Sequence, residues 1–493
     1  MLATPLPRLV ASGYPRCGVG GSSVRQPPPN LKQVDPMSVS DPRAQLATFR
    51  QRYPDTRFVD VLLADLCGIP RGKRVTVDEL PGMYHGSFLL PGSMFALDVL
   101  GGTVQETGLG FDEGDADRRC LPIEGTLMPV PWREGEGVAQ IQVSMVDHDG
   151  SPFYGDPRHV LADVLKRFSE LGLTPVVAIE LEFYLLDPVR TAEGCVQPPR
   201  LPQTGRREYL TQINSMTDLN EYSAVLAEIS AACDAQNIPS GTALAEYGPG
   251  QFEVNLHHSP DALLACDQAI RFKRLVRGVA ARHGMEATFM PKPYMDHAGS
   301  GAHIHVSMLD RDGRNIFASE DATGSASLKH AIGGLAATMA DAMLIFAPTV
   351  NSYRRYRSEA YVPLNPSWAV NNRGVALRIP ASTPENRRIE HRVAGADANP
   401  YLLTAAVLSG IHHGLQHNLD PGAAVTGNAY RDAVTTLPIT WPEAALKFES
   451  SNVLSDYLGE KFHHLFVTTR RGELQAFESH VSPLEYAWYA RTC

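Results

Sequence analysis

Two carboxylates lie two positions apart inside an apolar run, and they are the first candidates for chemistry. Residues 179–186 read IELEFYLL, in which Glu180 and Glu182 alternate with aliphatic and aromatic residues. Because side chains on a strand alternate between its faces, both carboxylates share one face. A buried pair of carboxylates is costly unless positive charge lies between them. The pair is therefore either the solvent-facing side of an amphipathic strand or part of a metal site.

Three further segments repeat this pattern, with possible ligands on one face and apolar residues on the other. They span residues 251–257, 302–308 and 388–393, and their ligand residues are Gln251, Glu253, Asn255, His303, His305, Ser307, Arg388, Glu390 and Arg392. Surface strands usually carry Thr, Lys and Ser at such positions, so this set favours four strands that face one cavity. Several carboxylates with an imidazole suit Mg²⁺ or Mn²⁺ better than zinc. About two such ions would offset the repulsion between the carboxylates.

Arginine residues cluster in a later part of the chain. This part contains Asn351, Arg354, Arg355, Asn372, Arg373, Arg378, Arg388 and Arg392. A guanidinium group binds carboxylates and phosphates through two parallel hydrogen bonds. Divalent ions beside several arginines are typical of phosphoryl transfer. The sequence has no G-x-x-x-x-G-K-[ST] motif, which excludes a P-loop as the nucleotide site.

Composition limits the class of protein. The chain has 493 residues and a formal net charge of -10, with 43% hydrophobic and 20% charged residues, which indicates a folded globular protein of two or more units. There is no long basic run, so nucleic acid is not an expected partner. There is no apolar stretch long enough for a membrane span. Seven scattered cysteines without a C-x-x-C pair indicate reduced thiols and favour a cytoplasmic protein.

Turn and helix signals divide the chain into three parts. Residues 1–40 are predicted to be a disordered tail, with a weak transit sequence or a start at Met37 as alternatives. Residues 41–148 are predicted to form a small β-rich domain, with a hairpin around residues 60–73 and a strand over 138–146. In residues 149–493, long helices alternate with polar-faced strands. The first helix is predicted to span residues 157–171. The second is predicted to have Asp218 as its N-cap, and the third to begin at Ser259.

The chain also carries six longer motifs in a fixed order. They are AIELEFYLL, AEYGPGQFEVNLHH, KPYMDHAGSGAHIHVSM, NSYRRY, NNRGVALRIP and RRIEHRVAGADANPYL. With them the chain resembles the glutamine synthetase superfamily over about residues 55–490. The resemblance implies an α+β fold, with a β-grasp-like N-terminal domain and a catalytic domain whose antiparallel strands form a funnel surrounded by helices. It also implies a homo-oligomer, a dodecamer of two hexameric rings with active sites between subunits.

The resemblance implies a two-step reaction and a role for each matching residue. The family transfers the γ-phosphate of ATP to the side-chain carboxylate of glutamate, and an amine then displaces phosphate. ATP and two or three Mg²⁺ (or Mn²⁺) ions are the implied cofactors. The implied ligands are Glu182, Glu246 and Glu253 for one metal ion, and Glu180, His303 and Glu390 for another. The other matches are Gly299, Arg355 and Arg392 for glutamate, Arg373 and Arg378 for the phosphoryl group, and His305, Ser307 and Arg388 for the nucleotide.

Some residues of this chain differ from the family pattern, and these differences indicate which amine is the substrate. Ammonia-using members carry a flap glutamate shortly after NSYKR; the aligned residue here is Tyr361, and Glu359 could serve only if the flap shifted by two residues. Asp98 matches the family's ammonium-binding aspartate. The motifs RRIEHRVAGADANPYL, LPQTGRREYL and PIEGTLMPVPW look most like the γ-glutamylputrescine (γ-glutamylpolyamine) synthetase branch. Trp368, Tyr361 and Asp98 are then candidates to bind the distal cation of a diamine, with core packing as the alternative for Trp368.

Several functions therefore remain to be compared. The main prediction is ATP-dependent ligation of glutamate to putrescine or another polyamine, which yields a γ-glutamylpolyamine, ADP and phosphate in polyamine catabolism. The alternatives are a glutamine synthetase that uses ammonia through Glu359, and a glutamate–monoamine ligase acting on an amine such as ethanolamine. A non-catalytic ring scaffold would be expected to lack metal ligands, and all six implied ligands are present.

Overall fold

The computed structural model of the protein describes residues 42–210, 212–431 and 434–493. The predicted tail, residues 1–40, lies outside the described residues. Among those described, there is no helix long and apolar enough to cross a membrane.

Six strands near the N-terminus form the first sheet. They are β1 Phe58–Ala64, β2 Pro70–Thr76, β3 Leu89–Pro91, β4 Asp117–Pro122, β5 Met128–Pro129 and β6 Val138–Met145. The order is β2-β1-β6-β4-β3, with β5 paired to β6. The predicted hairpin is confirmed, because β1 and β2 pair antiparallel on either side of a turn at Gly68, whose φ of 70° suits glycine. The β1–β6 pair is parallel.

Eight strands form the second sheet. They are β7 Thr174–Leu186, β8 Ser240–Ala245, β9 Gln251–Leu256, β10 Glu286–Thr288, β11 Ala302–Leu309, β12 Trp368–Val370, β13 Leu377–Ile379 and β14 Ile389–His391. Their order is β12-β13-β14-β11-β7-β9-β8, and β10 pairs with β7. The pairs are antiparallel, as predicted for the funnel, except for β12 and β13 at one edge, which run parallel. The sheet curls into a nearly closed barrel, and the α+β fold class is confirmed.

Thirteen α-helices are present in the described part of the chain. They are α1 Pro42–Arg52, α2 Leu80–Met83, α3 Pro157–Glu170, α4 Met216–Glu221, α5 Ser223–Ala235, α6 Ala262–Arg282, α7 Ala326–Thr338, α8 Met343–Phe346, α9 Pro400–His417, α10 Trp441–Glu449, α11 Asn452–Leu458, α12 Glu460–Glu478 and α13 Pro483–Tyr489.

The predicted helix starts are partly wrong. The helix predicted from Asp218 is two helices, α4 and α5, separated at Tyr222, and Ser215 caps α4 by accepting a hydrogen bond from the Asp218 backbone. The helix predicted from Ser259 begins later, because the Asp261 carboxylate accepts the Leu264 N–H at 3.0 Å and is the N-cap of α6. Both errors reflect a choice between neighbouring polar residues that can all cap a helix.

The apolar face of β7 anchors the second sheet. Phe183 is fully buried, and its ring centroid lies 5.7 Å from that of Phe289, 6.3 Å from that of Phe252 and 6.4 Å from that of Phe272 on α6. Aromatic contacts of this kind contribute packing energy beyond buried area. Because this face is held against a helix, the opposite face, with Glu180 and Glu182, must point into the barrel.

Candidate active site

The strand register brings together the ligand residues that the alternating pattern predicted. Antiparallel pairing sets His303 on β11 opposite Glu180 on β7, and Glu182 on β7 opposite Glu253 on β9. On the other side of β11, Glu390 on β14 is paired with His305. Directly opposed residues on one face lie within contact distance. Residues that are far apart in the chain thus form one polar surface inside the barrel.

This surface lines a cavity of about 550 Å³. All predicted site residues line it except Asp98 and Ser307. Asp98 lies instead in a tight turn of the N-terminal region, where its Oδ1 accepts the backbone N–H groups of Leu100 at 2.9 Å and Gly102 at 2.8 Å. Ser307 lies on β11 beyond His305 and does not reach the cavity lining of this chain. Trp368 does not line it either.

Trp368 is a core residue, as the alternative interpretation held. Its side chain is 5% exposed, and its indole N–H donates to the Gly422 carbonyl at 3.1 Å. It borders a different cavity, together with His330 and Asp420. Its proposed contact with a diamine in the catalytic cavity is therefore wrong.

Donor atoms in the cavity form overlapping groups that suit metal ions. Within each group the atoms lie within 4.8 Å of one another, and the groups are Glu182, Glu246, Glu253; Glu180, Glu253, His303; and Glu180, His305, Glu390. The first group has the same members as the set implied for one metal ion. The members of the second implied set, Glu180, His303 and Glu390, are divided between the other two groups, although His303 Nδ1 lies 3.4 Å from Glu180 Oε2 and 4.0 Å from Glu390 Oε1.

Two of these carboxyl groups are strongly disfavoured as anions. Burial and the charges of neighbouring carboxylates, Glu182 first, raise the pKa of Glu253 to about 9. Burial and the charge of Glu182 also raise the pKa of Glu246 to about 7. Without added positive charge, the cavity therefore holds protons on these groups. Divalent cations remove this repulsion, and the oxygen-rich donor set with one or two imidazoles fits Mg²⁺ or Mn²⁺.

Two other carboxylates remain ionised. Burial opposes the ionisation of Glu390, but the charge of Arg392 and other neighbouring cations lowers its pKa to about 2. Glu390 accepts a hydrogen bond from Arg378 at 2.7 Å and a second from Arg392. Burial also opposes the ionisation of Glu180, but its contacts with His303 and His305 lower its pKa. His305 Nε2 lies 2.9 Å from Glu180 Oε1.

Two glycines allow the Arg355 side chain and the β11 strand to approach closely. A Cβ on Gly299 would lie 2.8 Å from the Arg355 Cγ and 2.8 Å from the Pro291 carbonyl oxygen. A Cβ on Gly301 would lie 3.0 Å from His303 Nε2. The Gly301 N–H donates to Glu182 at 2.8 Å. Any other residue at position 299 would require the buried Arg355 or the Pro291 backbone to shift.

Two side-chain amides donate hydrogen bonds to the carboxylates. The sequence pattern predicted that they lie on the ligand faces but assigned them no role. Asn255 donates to Glu180 and to Glu253, each at 3.3 Å. Gln251 donates to the Gly299 carbonyl at 3.0 Å and lies 3.5 Å from Glu182. Their position in the alternation was a signal, but only the strand register shows which oxygens they reach.

Tyr247 was missed by sequence reasoning, although it lies in the AEYGPGQFEVNLHH motif. Its ring stacks on that of Tyr361, with a centroid separation of 6.3 Å and an interplanar angle of 19°. Tyr361 and Glu359 have φ values of 52° and 60°, in the left-handed region. Such a backbone costs a non-glycine residue about 1–2 kcal/mol and is often found at functional sites.

The sequence matches the family described as glutamine synthetase, catalytic domain, over residues 154–489. The chain is also 45% identical over 444 residues to the gamma-glutamylputrescine synthetase PuuA of Escherichia coli (strain K12), covering 90% of this chain and 94% of that protein. The chain belongs to the glutamine synthetase family. This family member is a ligase that forms a carbon–nitrogen bond.

Other members of the family are less similar in sequence. This family member is 30% identical to a glutamate–isopropylamine ligase of Pseudomonas sp, covering 86% of this chain and 93% of the ligase. The solved structure titled apo GmaS without ligand superposes with a TM-score of 0.77 at 27% identity, covering 90% of this chain and 99% of that one. This family member thus shares its fold with GmaS.

Proposed function

We propose that this ligase joins the side-chain carboxylate of glutamate to putrescine or another polyamine, at the cost of ATP. The products are a γ-glutamylpolyamine, ADP and phosphate, as a step of polyamine catabolism. The observation that carries the proposal is the combination of a carboxylate and arginine cavity with a flap that presents Tyr361. Similarity to a protein named gamma-glutamylputrescine synthetase supports the choice of amine.

We propose that the enzyme uses two or three divalent ions, Mg²⁺ or Mn²⁺, and we assign two of them to the carboxylate groups. Glu182, Glu246 and Glu253 would hold one ion. Glu180, His303 and Glu390 would hold the other, and the separations of His303 Nδ1 from Glu180 Oε2, 3.4 Å, and from Glu390 Oε1, 4.0 Å, support this assignment. Bound metal ions would neutralise phosphate charge during phosphoryl transfer. His305 and Arg388, which are hydrogen-bonded to each other at 3.2 Å, are assigned to the nucleotide.

Arginines position glutamate and the phosphoryl group in this proposal. Arg355, which lies next to Gly299, and Arg392 would bind the amino-acid end of glutamate through paired hydrogen bonds. Arg373 and Arg378 would contact the phosphoryl group. In the described part of the chain, Arg373 forms no ion pair or hydrogen bond, so its guanidinium group is available to bind the phosphoryl group.

The proposed chemistry has two balanced steps. A carboxylate oxygen of glutamate attacks the γ-phosphorus of ATP, and the bond to ADP breaks, which gives γ-glutamyl phosphate. The amine nitrogen then attacks the carbonyl carbon, a carbon–nitrogen bond forms, and phosphate leaves while the nitrogen loses a proton.

We further propose that the enzyme acts in the cytoplasm as a double-ring dodecamer in which Asp98 of one subunit faces the amine site of the next.

Phosphate release from purified protein tests the proposal. Assays with ATP, Mg²⁺ and glutamate would compare ammonium, putrescine, spermidine and ethanolamine at matched concentrations. We expect kcat/KM for putrescine or spermidine to exceed that for ammonium at least about a hundredfold, which corresponds to about 3 kcal/mol. Glu182→Gln should abolish turnover, whereas Glu320→Gln, the same change at an exposed position outside the cavity, serves as the matched control.

Each other outcome points to one of the alternatives. A preference for ammonium would make this chain a glutamine synthetase that works through Glu359. A preference for ethanolamine would make it a monoamine ligase. Absence of any amine-dependent phosphate release, with folded protein, would favour a non-catalytic scaffold.

A further inference from the structure

A second cavity adjoins the catalytic cavity on the far side of Tyr361. Its volume is about 340 Å³, and Glu359, Asn372, Arg373 and Tyr430 are among its lining residues. Tyr361 and Arg373 line both cavities. The Tyr361 side chain therefore lies where the two spaces meet, and a ligand longer than one cavity would pass along its ring.

The two tyrosine rings at this junction are open to a ligand. Tyr361 is 55% exposed and Tyr247 is 36% exposed, although both line the catalytic cavity. In the described part of the chain, neither phenol hydroxyl forms a hydrogen bond. The rings together offer an apolar surface for methylene groups, and the faces of tyrosine rings attract ammonium groups.

Polar groups without partners occupy the second cavity. Within the described residues, no hydrogen bond or ion pair engages the Glu359 carboxylate. The Tyr430 hydroxyl is buried and has no hydrogen-bond partner among the residues that the structure describes. A buried hydroxyl that lacks a partner is costly, so a ligand that supplies one would be stabilised there. An ammonium group can donate hydrogen bonds to a carboxylate and a phenol oxygen at once.

We propose that the second cavity binds the distal ammonium group of a diamine or polyamine while its other nitrogen reaches the acyl phosphate. Glu359 pairs with the distal charge, the Tyr430 oxygen accepts a hydrogen bond from it, and the methylene chain lies on the rings of Tyr247 and Tyr361. This inference rests on the proposed function, because it requires that the reacting amine enters past Tyr361. It identifies the substrate class as primary amines with a second positive charge several methylene groups away.

Among the described residues, Arg373 is the one cationic side chain that lines the second cavity, and its charge does not oppose the binding of an ammonium group there. Arg373 lines both cavities, and its proposed partner is the phosphoryl group in the catalytic cavity. A bound phosphoryl group would offset the guanidinium charge before the amine attacks. The negative charge of Glu359 then remains for the diamine. A monoamine such as butylamine would leave this carboxylate unpaired, and would be bound less well.

A matched pair of amines separates the distal site from the reacting site. The ratio of kcat/KM for putrescine to that for n-butylamine would be measured by phosphate release for the wild type and for Glu359→Gln, Tyr430→Phe and Tyr361→Leu. Glu320→Gln is the control, because Glu320 is an exposed glutamate outside both cavities. Thermal unfolding with ATP and Mg²⁺ would confirm that each variant is folded.

We expect Glu359→Gln to lower this ratio at least tenfold, and Tyr430→Phe and Tyr361→Leu to lower it severalfold. An unchanged ratio in all three variants would overturn the inference while leaving the proposed function intact. Equal losses for both amines would also overturn it, since the residues would then act at the reacting nitrogen. A wild type that uses neither amine would overturn the proposed function and this inference together.

Discussion

Replacing one metal ligand is expected to stabilise the metal-free protein. Glu253→Gln keeps the shape of the side chain and replaces a carboxyl group, whose ionisation is opposed by the neighbouring carboxylates, with a neutral amide that does not titrate. Burial and these charges raise the pKa of Glu253 to about 9, from a usual value of 4.5. The folded protein therefore binds a proton that the unfolded chain has released. The contribution of the protonated Glu253 carboxyl group to stability is fully present below about pH 4.5 and is lost as the pH rises through 9.

The size of the effect follows from the same pKa. Above pH 4.5 the raised pKa lowers the free energy of unfolding by about 1.4 kcal/mol for each pH unit. At pH 7.5, about three units higher, the loss is about 4 kcal/mol at most. The unfolding entropy of a chain of 493 residues makes 1 kcal/mol correspond to about 1 °C in Tm. In EDTA at pH 7.5 we expect the Tm of Glu253→Gln to exceed that of the wild type by a few degrees. At pH 5 the two values should agree more closely.

Differential scanning calorimetry in EDTA and in saturating Mg²⁺ at several pH values would measure this. Mg²⁺ should raise the Tm of the wild type more than that of Glu253→Gln, because the variant has lost a ligand. Glu320→Gln should follow the wild type throughout. The reasoning is refuted if Glu253→Gln in EDTA is less stable than the wild type at pH 7.5 to 8.5, or if the difference does not grow with pH.

Three further changes test the geometry of the site and the fold. Gly299→Ala should raise KM for glutamate at least tenfold, because its Cβ would lie 2.8 Å from Arg355 Cγ; steady-state kinetics would check this, and an unchanged KM would contradict the assignment. Glu390→Gln should lower the free energy of unfolding by about 3–5 kcal/mol in urea titrations, since it leaves Arg378 and Arg392 without their buried counterion, whereas Glu320→Gln should have little effect. Asp261→Ala should cost about 1 kcal/mol by the same assay, through loss of the N-cap of α6, and no change would indicate that Ser259 caps the helix instead.

Much of the site could be predicted from local pattern. Alternation along four segments identified the ligand faces, because a strand repeats every two residues and the apolar residues of each segment mark its buried side. The structure places Glu180, Glu253, His303 and Glu390 around one cavity, as that pattern predicts. The β1–β2 hairpin was also predictable, since its turn chemistry is contained in a few adjacent residues.

Choices between equivalent local signals were less predictable. Asp218 and Ser215 are both good N-cap residues, and so are Ser259 and Asp261. The structure shows which of them cap a helix, because Ser215 accepts the Asp218 N–H and Asp261 accepts the Leu264 N–H. Trp368 could be a ligand-binding ring or a core residue by sequence. Its burial and its hydrogen bond to Gly422 assign it to the core.

The sequence by itself determined the family, the ligand residue types and the faces on which they lie, because these depend on residue identity and on the two-residue repeat of a strand. Only the tertiary structure decided which ligands share an ion, since strand register joins residues that are distant in the chain. The raised pKa values of Glu246 and Glu253 also arise only there, from burial and from neighbouring charges. The contact of Tyr247 with Tyr361, and the cavity beyond it, depend likewise on the packing of a loop against the barrel.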